Sequence, residues 1–154
     1  MNTEINKIKT LFTETADGNN WTGINAEQAL QNISAETATK RINANHLNIA
    51  ELTAHLVCWN NVISKRLVGV NYTPVKEEDF PAINEVSDEQ WQILKQDFFN
   101  SFEILVNTLS QKEDISLDQP IFEEATSVYR NVHGQVSHLH YHLGQIVLLK
   151  KIII

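Results

Sequence analysis

Residues 48–68, NIAELTAHLVCWNNVISKRLV, decide the fold. Their apolar positions Ile49, Leu52, Leu56, Trp59, Ile63 and Leu67 recur at steps of three and four. On an α-helix that spacing gathers them into one stripe facing a core, whereas a strand would need strict alternation. Gly69 follows as a stop signal. The spacing predicts a helix from about Asn48 to Val68.

The same period recurs on either side. Residues 3–16 place Ile5, Ile8, Leu11 and Phe12 at helical spacing, and Asp17-Gly18 ends the run. GNNWTGINAEQALQNI reads as a loop followed by a short helix from about Ala26, and SAETATKRI as a second short turn or helix capped by Ser34. Beyond Gly69, VNYTPVKEEDFPAINEV holds two of the three prolines and reads as an irregular connection, with Glu77, Glu78 and Asp79 as a solvated acidic run. Ser87 with Gln90 three residues on is a capping signature. Trp91, Leu94, Phe98, Phe102, Leu105 and Leu109 carry the stripe behind it to about Ser110. A last helix is expected from about Ser127 to Lys150, with Val128, Val132, Val136, Leu139, Leu143 and Ile146 inward. The expectation is an all-α protein: one domain over residues 1–154, a bundle of four main helices, with short extra helices or turns between the first and second.

Composition agrees and narrows the function. Five glycines and three prolines in 154 residues are few for an all-β fold. A formal charge of -7 is repelled by phosphate backbones and by anionic membrane surfaces, so neither nucleic acid nor membrane is an expected partner. The single cysteine, Cys58, excludes an intrachain disulfide and reads as a small buried hydrophobe. The N-terminal MNTEINKIKTLF lacks the apolar core of a secretory signal, so the expected compartment is the cytoplasm. The apolar tail Ile152 to Ile154 is expected to pack in a dimer interface.

The last helix contains four of the six histidines. At about 100° per residue, His138 and His142 lie one above the other, while His133 and His140 project to the opposite flank. Two histidines at i and i+4 form a ready bidentate site for a borderline metal ion. His55 can supply a third ligand: it lies within about 40° of Trp59 on the helical wheel and so borders the core stripe. Three neutral imidazoles would leave a coordination position open, as catalytic metal sites do. Against this stands the plainer reading, in which each histidine is a satisfied, partly buried bundle residue. Trp59 and Trp91 fall on core stripes and read as packing. Trp59, Gln145 and Trp21 are the candidates around a pocket: Gln145 to hydrogen-bond a ligand histidine, Trp21 to cover the site or plug the bundle end.

Two segments carry a family resemblance. IAELTAHLVCWNNVISKRL, with His55 four residues before Trp59, resembles the second helix of the DinB/YfiT-like proteins. HLHYHLGQI, residues 138–146, resembles the His-x-x-x-His-x-Gly-Gln motif near the end of that family, and Trp21 matches an aromatic position after its first helix. The resemblance implies a four-helix bundle of unusual connectivity. It also implies a metal ion held by three histidines, here His55, His138 and His142, and a homodimer. Leu143 stands where many relatives carry Arg.

The expected cofactor is one divalent transition metal, with zinc, nickel and iron all suited to imidazole. The expected function is that of a metal-dependent hydrolase or a low-molecular-weight-thiol transferase, its partner a small-molecule substrate or thiol. No Glu lies inside either histidine motif to serve as general base, which weighs against hydrolysis. The alternative is a non-enzymatic, dimeric helical-bundle binding protein whose histidines hold no metal.

Overall fold

The computed structural model describes residues 3–153, and over them the chain is helical without a strand. Four long helices form the bundle: α1 (Glu4–Ala16), α4 (Ile49–Leu67), α6 (Asp88–Leu109) and α7 (Val128–Ile153). Two short helices, α2 (Ala26–Leu30) and α3 (Ala35–Thr39), lie between α1 and α4, and α5 (Lys76–Asp79) lies between α4 and α6. A 3₁₀ turn at Asp114–Ser116 precedes α7. Around the bundle, α4 packs against α6 and α7, and α1 against the same two. Thus α1 and α4 are diagonal, and so are α6 and α7.

The helix starts follow local chemistry. Ser87 Oγ accepts from Gln90 N while Gln90 Oε1 accepts from Ser87 N, a closed capping box at the head of α6. Asn48 and Glu51 repeat that device at the head of α4. The Asp114 carboxylate, from a distant loop, accepts from Glu4 N and Ile5 N and so caps α1 through tertiary structure. Val68 ends α4, and Gly69 follows at φ 86°, a left-handed conformation that glycine adopts without strain.

The expected stripes are the core. Ile49, Leu52, Leu56, Ile63 and Leu67 of α4 meet Phe98, Phe102, Leu105 and Leu109 of α6 and Val132, Leu139, Leu143 and Ile146 of α7, all buried. Trp91 is fully buried, and its Nε1–H donates to Ile33 O at 2.8 Å, pinning α6 to the segment after α2. Truncating such a residue to alanine typically costs about 3–5 kcal/mol.

A polar seam sets the register of α4 against α7. Gln135 Nε2 donates to Asn60 Oδ1 at 2.8 Å, and Asn60 Nδ2 donates to Ser101 Oγ at 2.9 Å, all three residues being buried. Asn60 lies beyond His55 on α4, and Gln135 lies before His138 on α7. The two pairings therefore run antiparallel and bring His55 level with His138.

Three expectations are corrected. The connection after Gly69 is not wholly irregular: Glu78 Oε2 accepts from Val75 N and from Tyr72 O–H, closing α5. Nor is its acidic run merely solvated, because Asp79 turns inward. Trp21 neither plugs the bundle end nor covers a site; it is fully exposed. Ile152 continues α7 as an exposed residue, and Ile154 lies outside the described residues. No described helix is long and apolar enough to cross a membrane.

Candidate metal centre

His55 of α4 and His138 and His142 of α7 meet between the two helices. One ring nitrogen from each lies within 4.8 Å of the others, and these three residues are the only such cluster of possible metal ligands among the described residues. His55 and His142 are buried and His138 is half-buried. His55 Nε2 stands 2.9 Å from His138 Nε2, and the ring centroids of His138 and His142 are 4.6 Å apart.

The outer hydrogen bonds settle which nitrogens face inward. Asp79 at the end of α5 offers two acceptors to His55 Nδ1, its Oδ1 at 2.8 Å and its carbonyl at 3.0 Å. Neither can donate, so Nδ1 carries a proton, and in the neutral tautomer this fixes, Nε2 keeps its lone pair. Gln145 Oε1 likewise accepts from His142 Nδ1 at 2.6 Å, leaving His142 Nε2 with a lone pair. His138 has one Nε2 and can donate from it to one acceptor at most. An arrangement with more lone pairs than donors fits a cation, and carboxylate- or amide-oriented imidazoles are the usual surroundings of a bound metal ion. The three histidines thus fit the group that the resemblance implied.

Electrostatics favour the neutral imidazoles that ligation needs. Burial, reinforced by His142 and His55, pulls His138 from an ordinary 6.5 down to about 4, against an opposing pull from Asp79. Burial lowers His142 as well, outweighing the Gln145 hydrogen bond that raises it.

Aromatic rings wall the cluster. Phe80 stacks on His55 at 4.1 Å between centroids and 10° between planes. Trp59 stands edge-on to His138 at 5.9 Å, and its Nε1–H donates to Asp79 Oδ1 at 2.6 Å. Trp59 is therefore a half-buried wall of the site rather than the core packing its stripe suggested. Asp79 and Phe80 are the residues that sequence reasoning missed. Only the apolar residue next to an acidic run could have hinted that this connection folds back.

The loop bearing Asp79 is held at its far end. Glu51 accepts from Ile83 N at 3.0 Å and from both terminal nitrogens of Arg41, whose guanidinium also donates to Asn84 Oδ1 at 3.2 Å. Asn48 Nδ2 donates to Ile83 O at 2.7 Å. The head of α4 thus fixes both His55 and the loop that orients it.

The remaining histidines stand apart. His140 Nε2 lies 3.2 Å from Thr15 Oγ1, on the α1 side of α7, and His133 packs on Tyr129 at 4.2 Å. His46 is exposed. Cys58 is half-buried, and burial followed by the nearby Asp79 and Glu78 charges pushes its thiol up. A cleft of about 270 Å³ opens beside His138, with Trp59 and Gln135 in its walls.

Comparison with known proteins adds one finding. A family model described as the DinB superfamily matches residues 21–146. No curated protein and no solved structure matches.

Proposed function

The chain belongs to the DinB superfamily, and from that premise we propose that it is a metal-dependent enzyme of low-molecular-weight-thiol transfer, with His55, His138 and His142 holding one divalent ion. The observation that carries the reading is the convergence of three imidazole rings, two of them with Nδ1 engaged by Asp79 and Gln145. A bound zinc, nickel or iron ion supplies Lewis acidity, easing loss of a proton from a thiol or water that reaches it.

The protein's own residues do the rest. Asp79 and Gln145 fix the tautomer and the plane of His55 and His142. Phe80 and Trp59 exclude water from two sides, strengthening electrostatic interactions within. His138 faces the cleft, so incoming substrate meets the cluster there. Thiol transfer is favoured over hydrolysis because no Glu lies inside either histidine motif to serve as general base, and Asp79 Oδ1 is already engaged by His55 and Trp59. A thiol ionises far more readily than water and needs no such base.

The reading takes the chain as one bundle domain acting in the cytoplasm as a homodimer. Exposed Ile42, Leu148 and Ile152 around a single groove support the dimer, which light scattering tests.

Elemental mass spectrometry of protein purified without chelator tests the proposal, beside a His138→Ala, His142→Ala double variant. Near-stoichiometric metal in the wild type and none in the variant supports it, and a screen of thiols with electrophilic acceptors then reads the activity. Wild-type protein that takes up no zinc, nickel or iron(II) would leave the non-enzymatic binding bundle as the better account.

A further inference from the structure

The cleft beside His138 carries two arginines, Arg66 from the end of α4 and Arg130 from the start of α7. Neither forms an ion pair with any described carboxylate, although the chain has nineteen Asp and Glu against twelve Lys and Arg. Arg66 is half-buried and held in place: its Nε donates to Tyr72 O at 3.1 Å, and its guanidinium lies 5.6 Å from the Trp59 ring and 5.8 Å from Phe122. That leaves its two terminal nitrogens as a fork with no acidic partner. A guanidinium half out of water and without a counter-ion is costly unless an anion completes it. In the same cleft Gly134 leaves open space where a side chain would stand, and Trp59 and Ile63 supply an apolar wall.

We propose that this cleft binds a small organic anion, a carboxylate or phosphate ester, with its charge on Arg66 and Arg130 and its apolar part against Trp59 and Ile63. The inference rests on reading the neighbouring histidines as the metal centre, for that makes the cleft the substrate site. The occupant's uncharged end then reaches toward His138. The volume of about 270 Å³ suits a ligand of roughly ten non-hydrogen atoms, below the usual drug-sized range.

Calorimetric titration of the full chain tests this, as purified and after chelation, with phenyl phosphate, benzoate and uncharged benzyl alcohol as probes. Both anions, or one of them, should bind and benzyl alcohol should bind at least tenfold more weakly. The two anions compared tell phosphate from carboxylate selectivity. Arg66→Gln and Arg130→Gln should each weaken anion binding about tenfold or more, with metal content unchanged. Arg66→Lys should retain part of the affinity. Arg130 is exposed and its guanidinium makes no hydrogen bond to any described residue, so its variant stays informative if Arg66→Gln is unstable. Anion binding that survives both glutamine variants, or a neutral probe that binds as tightly, would overturn the proposal. Anion binding that persists in chelated protein and depends on the arginines would uphold the cleft even if no metal were found.

Discussion

The Asp79 carboxylate accepts from His55 Nδ1 at 2.8 Å across 24 residues of sequence, and so holds the His55 ring with its Nε2 lone pair toward His138. The same oxygen takes the Trp59 indole N–H, which makes Asp79 the joint between a loop, an aromatic wall and the candidate metal ligand.

Asp79→Ala should therefore weaken metal binding without touching a ligand. Loss of such an orienting partner typically costs ten- to a hundredfold in affinity, roughly. Competition with a chromophoric chelator measures it. Asp79→Asn, which can still accept from Nδ1, should fall between variant and wild type. Equal affinities in all three would mean that the ligand ring needs no outer support.

Acid should destabilise the metal-free protein. His138 titrates at about 4 when folded but at an ordinary 6.5 when unfolded, so between those values the unfolded chain binds more protons. A folded-state value depressed in this way contributes stability that is complete above about 6.5 and lost as pH falls toward 4. Thermal melts of chelated protein across that window should show Tm falling with pH, and His138→Gln should flatten the slope. An unchanged slope in the variant would contradict the burial argument.

Glu51→Gln should reach further than its place at a helix end suggests. The residue is buried, and it binds Arg41, Ile83 N and Asn48 N. Burial raises its carboxyl, but Arg41 and the two backbone donors outweigh that and hold it below the ordinary value. Removing the charge leaves Arg41 without its carboxylate, though still bonded to His46 O and Asn84 Oδ1, at a cost of about 2 kcal/mol in denaturant unfolding. Because the same carboxylate anchors the loop bearing Asp79, metal affinity should drop as well.

Cys58 should be a slow thiol. Burial and the Asp79 and Glu78 charges raise it, so little thiolate is present at neutral pH. Alkylation at pH 7 should be slower than for a free cysteine, and Cys58→Ala should retain full metal content. Fast alkylation, or metal loss on substitution, would bring Cys58 into the site.

Much of this architecture was legible because it is periodic or local. The stripe from Ile49 to Leu67 and the Ser87–Gln90 box each depend on residues within a few positions, and the His138–His142 pair on one helical turn. His55 was within reach because it borders the same stripe. Asp79 was not, since an acidic run in a proline-bearing connection has no period to reveal that it folds back 24 residues onto a helix. Trp59 reads both as core packing and as a pocket candidate: its phase on the helix fits the core stripe, while the neighbouring rings and the Asp79 hydrogen bond draw it beside the histidines. Trp21 shows the converse, a large apolar residue left in solvent.

The central claim is that three imidazoles hold one ion between α4 and α7. X-ray absorption at the metal edge, on protein loaded with one equivalent of zinc, tests it most directly. The account predicts three imidazole nitrogens at about 2.0–2.1 Å and at least one oxygen ligand that gives way to sulfur on adding a thiol. Fewer than three imidazoles, or an unchanged spectrum in the His138→Ala, His142→Ala variant, would contradict it.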